Sequence, residues 1–510
     1  MLGGRDNIAR VATLTHSMQP QPVDPPKESR RDRAVFVALL VLMASLPLPW
    51  GSTPDLAVAL FGLATGTLVV VRLLLALRGF ALTVVPIPAR VVLAGWLAWL
   101  GWCGLYLLPL PDSLLALLSP SAHTLHASVG ALPQGRAMNT ISIVPGATLD
   151  QLLLGTSYFA LFWTVLVTVA RNRFRQRWLL TVVMASGLVQ ALYGSVMTLS
   201  GWEFGFFEPK QHGHGWATGT FVNRNHLAGY LELTLAAGIA LVLADLRPQG
   251  ARTWKQTLAD LIDLALSPRM RTRVMIAVMV IALVLTRSRM GNIAFFISLA
   301  ICANAYIWFR NPRYLLKSLL FFASLFIIDL LIVSEQYGLK KVVQRIEATE
   351  LQTEQRALVF RDLVPVIEEY GLIGAGPGSF AVAFSPHRSA DIHGYFDHAH
   401  NDYAEFLIET GVVGCGLLAL IAGMTFLHGF LLVRRRRDPM ASALGFAGVM
   451  GLMTLGIHGL ADFNLRIPAV AATLVALMAV MLSCSSRSTK LGPRASEESN
   501  RALRKEDISA

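Results

Sequence analysis

The chain has 510 residues, of which 54% are hydrophobic and only 15% are charged. This balance excludes an ordinary soluble multidomain protein, because such proteins carry about 25% charged residues. The net charge of +12 would fit nucleic-acid binding, but no basic domain with interleaved aromatic residues is present to support that function.

Apolar runs of about 17–25 residues recur along the chain, each long enough to cross a hydrocarbon core of about 30 Å. They lack an alternating apolar and polar pattern, which favours helices over an outer-membrane barrel. Twelve spans are predicted, at 34–50, 55–77, 86–110, 151–170, 178–200, 226–245, 273–286, 291–309, 315–334, 403–433, 440–460 and 467–484. The sequence therefore predicts an all-α polytopic membrane protein with a transmembrane domain over 34–484.

The two ends of the chain differ in composition from these spans. Residues 1–33 are polar and contain prolines, without the apolar core of a signal peptide. Residues 485–510 are rich in charge. We predict that both are disordered cytoplasmic tails. The four cysteines fall in predicted spans without paired spacing, which argues against a disulfide framework or a zinc ribbon.

The basic residues predict the orientation of the spans, since Lys and Arg concentrate in cytoplasmic loops. With the N-terminus inside and twelve alternating spans, every basic cluster falls on the cytoplasmic side. The outer loops are then 51–54, 111–150, 201–225, 287–290, 335–402 and 461–466. The positive charge is thus mainly an orientation signal, with contact to anionic lipids as a secondary effect.

The loop before the sixth span ends in the motif Thr-Gly-Thr-Phe-Val-Asn-Arg-Asn-His, residues 218–226. One interpretation is structural, with Asn223 or Asn225 capping the helix and Gly219 forming a turn. The other is a collar of polar groups, including Arg224, where the positive end of the helix dipole meets an anion. The sequence leaves both interpretations open.

Arginines in the predicted outer loops run against the orientation bias, so each needs a local reason. Arg287 and Arg289 separate the seventh and eighth spans with almost no loop between them. Their side chains can extend to lipid headgroups, or they can bind a diphosphate, which Arg holds in bidentate fashion. Arg356, in the long outer loop 335–402, raises the same question.

The long outer loop contains two further patterns. Residues 354–370 place apolar residues among charges, which predicts an amphipathic helix lying on the membrane. The glycine-rich run 374–380 is predicted to be a turn. As a phosphate site it is a weak match, since no strand precedes it and no Lys follows.

The long loop ends at the tenth span in the sequence Asp-His-Ala-His-Asn-Asp, residues 397–402. Spanning a bilayer does not require polar groups at this position. His398 and His400 suit metal binding or general-base catalysis, since a histidine pKa of about 6.5 allows proton removal at neutral pH. A second pair, His212 and His214, precedes the sixth span. Neither pair has a third Cys or His at ligand spacing, so a base is predicted rather than a metal.

The break between the last two spans holds a fourth polar group, with Asp462 and Arg466 ahead of Pro468. This pair either organises the loop or takes part in catalysis, and the sequence does not decide between these roles. Asp329 stands alone in the ninth span. An acid inside a membrane span is a functional candidate by default, and its role stays open.

Together these motifs resemble the O-antigen ligase/polymerase superfamily of bacterial membrane glycosyltransferases. The ligase signature is His, then Asn, Ser or Gln, nine residues, Gly, two residues and Gly. His400, Asn401, Gly411 and Gly414 have this spacing. Other stretches that resemble the family are Gly219–Asn225, Ser288-Arg289, Gly374–Phe380 and Asp462–Leu465. The resemblance covers 215–470 in the family's order.

The resemblance implies a GT-C-like fold that transfers a glycan from undecaprenyl diphosphate to an acceptor hydroxyl. Transfer would occur at the periplasmic face of the bacterial inner membrane, with inversion and without a metal or other cofactor. His400 would deprotonate the acceptor, and Arg289 and Arg356 would stabilise the departing diphosphate. The implied partners are the lipid-linked donor, a glycan or lipid A core acceptor and membrane lipids, and both termini would be cytoplasmic.

The remaining polar residues of the motifs are expected to bind substrate. They are Asn223, Arg224, Asn225, Arg287, His398, Asn401, Asp402, Asp462 and Arg466. Arg224 stands where many relatives have Pro, which either adds a phosphate contact or reflects a different donor.

The signature at His400 favours a ligase over the alternatives. These are an O-antigen or exopolysaccharide polymerase with another lipid-linked repeat as acceptor, a protein O-oligosaccharyltransferase, and a transporter or flippase. A transporter should show broken helices, internal repeats and polar groups near the bilayer midplane. The polar residues of this sequence concentrate instead at one predicted face.

Overall fold

The structure is a computed structural model that describes only part of the chain. The described residues are 30–79, 85–132, 138–170, 172–205, 209–210, 214–245, 268–320, 323–324, 358–392, 396–436 and 438–484. Within them the chain forms helices, turns and a single isolated bridge between Phe204 and Pro209, and no β-strand.

The helices follow one another closely along the chain. They are α1 (Arg30–Ser45), α2 (Asp55–Leu77), α3 (Ile87–Leu105), α4 (Asp112–Leu118), α5 (Pro120–Gly130), α6 (Pro145–Val169), α7 (Arg173–Ser200), α8 (Arg224–Ala244), α9 (Pro268–Leu285), α10 (Arg289–Arg310), α11 (358–370), α12 (Phe380–Phe384), α13 (Asp402–Arg435), α14 (Pro439–His458) and α15 (Pro468–Leu482). A further helical stretch covers 315–320.

Eight of the described helices are long and apolar enough to cross a membrane, namely α2, α3, α6, α7, α8, α10, α13 and α14. The prediction of a helical polytopic membrane protein is therefore confirmed. Described helices overlap eleven of the twelve predicted spans. The ninth, 315–334, lies largely outside the described residues, so the number of twelve stays a prediction, as does the GT-C-like fold.

The centre of the bundle consists of α8, α14 and α15. Most residues of α8 and α14 are buried, and so is every residue of α15. The outer helices α2 and α3 expose apolar side chains such as Leu60, Leu63 and Leu97. Lipid tails are as apolar as these side chains, so their exposure is compatible with a membrane.

Ion pairs gather the basic residues at one end of the bundle. Asp32 at the start of α1 pairs with Arg72 near the end of α2 and with Arg175 at the start of α7. Arg177 pairs with Asp245, just after α8, at 2.8 Å. These contacts bring together the starts of α1 and α7 and the ends of α2 and α8. We call this end of the bundle the basic end.

The polar motifs lie at the opposite end, which we call the site end. Arg310, at the end of α10, donates to the carbonyl oxygen of Arg436, just after α13. Arg173 pairs with Asp438, just before α14. The starts of α10 and α13 and the end of α14 are therefore all at the site end. Basic clusters and polar motifs occupy opposite ends, as the predicted topology requires.

The loops at the site end fold into a second core. Val359, Leu363 and Val366 of α11 are buried there with Leu115 of α4 and Phe380 of α12. The sequence predicts that this helix lies on the membrane. Its apolar face is instead covered by protein, because the loop between α3 and α6 supplies the apolar surface that packs against it.

Gly411 interrupts α13 with φ 65° and ψ −177°, a conformation that is essentially confined to glycine. The glycine-rich run docks at this interruption. The amide of Ala375 donates to the carbonyl of Ile408 at 2.8 Å, and that of Gly376 donates to the carbonyl of Glu409 at 2.9 Å. The run is therefore a backbone turn, as predicted, and it binds the broken helix.

We expect Gly411→Ala to destabilise the protein. Alanine would be strained in this conformation, and its Cβ would clash with the carbonyl oxygen of Ile373. Such strain costs about 1–3 kcal/mol, which should lower the apparent Tm of the purified protein in detergent by several degrees. Gly423→Ala in the same helix is the matched control, because its added Cβ meets nothing within 4 Å. An equal fall in Tm for both variants would contradict the role of Gly411.

Candidate functional site

Phe463 lies at the centre of a histidine cluster at the site end. The ring of His398 stacks on it with centroids 4.2 Å apart. His226 and His400 meet it edge-on at 4.8 and 4.9 Å. Phe463 comes from the turn between α14 and α15, His226 from the first turn of α8, and the other two from the loop before α13. Three distant parts of the sequence therefore converge here.

The backbone and the ring of His400 are both held in place. Its φ is 49°, in the left-handed region where residues other than glycine are uncommon. The ring meets Phe396 and Phe463 edge-on, and 28% of the side chain is exposed. Nδ1 lies 3.7 Å from Oδ1 of Asp462, somewhat beyond a direct hydrogen bond. The carboxylate favours a proton on Nδ1, which leaves Nε2 to accept one.

Asp462 is fully buried and faces a second histidine with its other oxygen. Nε2 of His458 lies 3.9 Å from Oδ2 of Asp462. Burial acts to raise the pKa of the Asp462 carboxyl. The nearby His400, His226 and His458 outweigh this effect and hold the pKa below its ordinary value. Asp462 is therefore ionised at neutral pH.

The polar chain continues from His458 into the interior of the bundle. Nδ1 of His458 lies 2.8 Å from Oε1 of Glu232 on α8. The hydroxyl of Thr454 donates to Oε2 of the same carboxylate at 2.9 Å. All three side chains are fully buried. A continuous series of polar groups therefore runs from α8 through α14 to the partly exposed His400.

His398 is anchored by the buried carboxylate of Glu405. Its Nδ1 lies 2.7 Å from Oε1, and the amide of Ala399 donates to Oε2 at 2.9 Å. Burial acts to lower the pKa of His398, but the hydrogen bond and charge of Glu405 outweigh it, and the pKa is raised. Arg466 pairs with Glu405 at 3.1 Å and with Glu409 at 2.6 Å. The contacts of Arg466 therefore hold the loop against α13.

Asn401 and Asp402 connect the start of α13 to the turn after α14. Oδ1 of Asn401 accepts from the amide of Ala404 at 2.9 Å, and Nδ2 donates to the carbonyl of Leu460 at 3.0 Å. The amide of Asp402 donates to the carbonyl of Gly459 at 2.9 Å. These two residues, expected to bind substrate, make contacts that position the loop carrying His400.

The motif before α8 begins that helix. Asn223 is its cap, with Oδ1 accepting from the amide of Asn225 at 2.9 Å, so the capping interpretation is confirmed for Asn223. The guanidinium of Arg224 lies 3.6 Å from the centre of the Trp216 ring. Asn225 is half-buried in the first turn. An anion at this helix start stays a prediction.

The arginine turn before α10 lies against the histidine cluster. Ser288 caps α10 through the amide of Gly291 at 3.2 Å. A Cβ on Gly291 would lie 2.7 Å from Ala228 and 3.1 Å from Cε1 of His458, so this turn packs directly on α8 and α14. Arg287 is half-buried with φ 52°, and Arg289 is exposed. Neither side chain has an ion-pair partner among the described residues.

Three residues considered from the sequence, His212, Asp329 and Arg356, lie outside the described residues. His214 is exposed in the loop before α8. Within the described ranges, no group of three or more His, Cys, Asp or Glu side chains is placed to hold a metal ion.

The sequence interpretation missed Glu232 and the two acids of α13, Glu405 and Glu409. A signal for them was present, since a carboxylate inside a membrane span is a functional candidate, as was noted for Asp329. His226 and His458 were seen only as members of motifs. Their place in the cluster depends on contacts between helices that are distant in sequence.

Comparison with known proteins agrees with this geometry. Residues 274–420 match the family model described as O-antigen ligase. The chain belongs to the O-antigen ligase/polymerase superfamily. The matched segment includes the arginine turn, His398, His400 and the interrupted part of α13, whereas Glu232 and Asp462 lie outside it. No curated protein matches the chain.

Family membership confirms the resemblance that the motifs indicate and gives a coarse function, that of a membrane glycosyltransferase of ligase or polymerase type. The structure also explains the two glycines of the ligase signature. Gly411 permits the break in α13. A Cβ on Gly414 would clash with the side chain of Thr410 in the turn that follows the break.

We expect His398→Gln to lower the apparent Tm most at acidic pH. The raised pKa of His398 means that its stabilising effect is complete below the unfolded value of about 6.5 and is lost as the pH rises through the folded value. Melting curves of both proteins from about pH 5.5 to about pH 9 test this, and the gap between them should narrow as the pH rises. A constant or widening gap would show that the Glu405 contact does not bind a proton on folding.

Proposed function

We propose that this protein transfers a glycan from undecaprenyl diphosphate to an acceptor hydroxyl, with inversion and without a metal. The observation that carries the proposal is the arrangement at His400. Its ring is partly exposed, and its Nδ1 faces a buried, ionised carboxylate at 3.7 Å. An imidazole oriented by a carboxylate is a recurrent arrangement for a general base.

In the proposed reaction, Nε2 of His400 takes the proton of the acceptor hydroxyl while the hydroxyl oxygen attacks the anomeric carbon of the donor. The bond between that carbon and the diphosphate oxygen breaks, the anomeric configuration inverts, and undecaprenyl diphosphate leaves. Asp462 stabilises the positive charge that His400 acquires, as the carboxylate of a catalytic triad does.

The leaving diphosphate accumulates negative charge, which cations in place beforehand stabilise. Arg287 and Arg289 suit this role, since their turn packs on His458 and neither has an ion-pair partner among the described residues. Arginine also binds phosphate oxygens in bidentate fashion. Arg356, outside the described residues, is proposed as a third cation.

The proposed location is the bacterial inner membrane, with the basic end facing the cytoplasm and the site end facing the periplasm. Support comes from the preference of Lys and Arg for cytoplasmic loops. The described ion pairs place Arg72, Arg173, Arg175 and Arg177 together at the basic end. The histidine cluster at the opposite end would then meet a glycan already carried across the membrane.

The proposed acceptor is the lipid A core, which the ligase spacing from His400 to Gly414 favours. A polymerase would use the same donor but would extend one lipid-linked repeat with another. The two functions separate when the purified protein receives the lipid-linked glycan with lipid A core or alone. A ligase modifies the core, whereas a polymerase lengthens the glycan in the absence of the core.

We expect His400→Ala to lower transfer by about 10²–10⁴-fold, the usual contribution of a general base, while the protein still folds. The measurement is release of undecaprenyl diphosphate by purified protein supplied with lipid-linked glycan and acceptor. His123→Ala, which removes a histidine paired with the exposed Asp112 at the surface, should transfer at the wild-type rate. Wild-type release by His400→Ala would refute the assignment of the base.

We expect Arg289→Ala to lower transfer by about 10²–10³-fold, as for the loss of one group that stabilises the transition-state charge. Arg289→Lys should recover only part of the rate, because lysine keeps the charge and loses the bidentate geometry. Arg313→Ala, an exposed arginine just beyond the other end of α10, is the control and should transfer normally. Equal rates for Arg289→Ala and Arg313→Ala would remove Arg289 from the mechanism.

A further inference from the structure

We propose that Glu232, Thr454 and His458 form a buried positioning chain that acts on the reaction through Asp462. This inference rests on the proposed role of His400 as the base. The three residues are positioning residues, since the structure connects them to His400 only through Asp462.

The first step of the argument is that Asp462 has two faces. Oδ1 lies 3.7 Å from His400, and Oδ2 lies 3.9 Å from His458. The amide of Phe463 also donates to Oδ1 at 2.9 Å. The orientation of the carboxylate toward His400 therefore depends on what holds the opposite oxygen, and the residue placed there is His458.

The second step concerns what holds His458. Thr454 and His458 are four residues apart on α14, so both side chains point from the same face of the helix. On that face, Glu232 of α8 binds Thr454 at 2.9 Å and His458 at 2.8 Å, one through each carboxylate oxygen. The ring of His458 is thus fixed between two carboxylates, and each of its nitrogens faces one of them.

The third step weighs a purely structural role in joining α8 to α14. Burying a carboxylate and an imidazole among membrane helices is costly, and the neighbours of Glu232 on α8, Leu231 and Leu233, pack without polar groups. A link between the two helices would also be complete at Thr454 and Glu232. His458 extends the chain beyond them to Asp462, which is the observation that points to a role in the site.

His458 also touches the second half of the site. A Cβ on Gly291 would lie 3.1 Å from its Cε1, so the start of α10 rests against the same ring. One fixed imidazole therefore sets the position of the carboxylate behind the base and of the helix that carries Arg289. Loss of the chain should misplace reacting groups without removing any of them.

The test measures kcat and the KM for the lipid-linked donor, using the full chain in lipid nanodiscs and release of undecaprenyl diphosphate. We expect Glu232→Gln and Thr454→Val to lower kcat by about tenfold or more, comparable to the loss of one hydrogen bond's stabilisation in the transition state. KM for the donor should stay within about twofold, because donor contacts are untouched. Thr454→Ser, which keeps the hydroxyl, should retain most of the wild-type kcat.

The matched control is His428→Gln. His428 is another buried histidine in a spanning helix, but it lies at the basic end, where its Nε2 is 3.0 Å from the carbonyl oxygen of Cys484. Its kcat and KM should equal those of the wild type. Thermal melting of every variant shows whether it is folded, and Thr454→Val supplies the answer where Glu232→Gln does not fold.

Several results would overturn the proposal. These are a wild-type kcat in Glu232→Gln and Thr454→Val, a rise in KM proportional to the fall in kcat, and equal losses in Thr454→Ser and Thr454→Val. His400→Ala in the same assay separates this failure from failure of the proposed function. A loss in His400→Ala with normal Glu232→Gln defeats only the positioning chain, whereas normal release by His400→Ala defeats the proposed function and the chain with it.

Discussion

The ionised carboxylate of Asp462 is fully buried among membrane helices, and the site depends on how its charge is compensated. A buried charge without partners would be strongly destabilising. Its two oxygens face His400 and His458, which belong to different parts of the chain. Compensating this one charge therefore fixes the base on one side and the interior polar chain on the other.

Backbone geometry brings these side chains to Asp462. The break at Gly411 lets the glycine-rich run dock against α13, and the second core holds the loop that leads to His400. Asn401 then caps α13 and ties it to the turn after α14. Features that the sequence presents as separate motifs are thus parts of one arrangement that orients a single imidazole.

The membrane helices and the grouping of polar motifs at one end could be predicted from the sequence, because hydropathy and the distribution of arginine record them directly. The cap at Asn223 and the turn at 374–380 were also predictable, since local chemistry determines them. The partnership of Glu232 with His458 was not, because it joins residues 226 positions apart in sequence. Likewise, nothing in the pattern of α11 showed that protein, rather than lipid, would cover its apolar face.

The clamps at the basic end have a consequence for biogenesis. In the folded protein, Asp32 engages Arg72 and Arg175, and Asp245 engages Arg177. During insertion of the nascent chain these pairs do not yet exist, so the same arginines are available as topogenic signals. One set of charges therefore serves twice: first it directs which segments stay behind as the polypeptide enters the bilayer, and later it fastens the helices together.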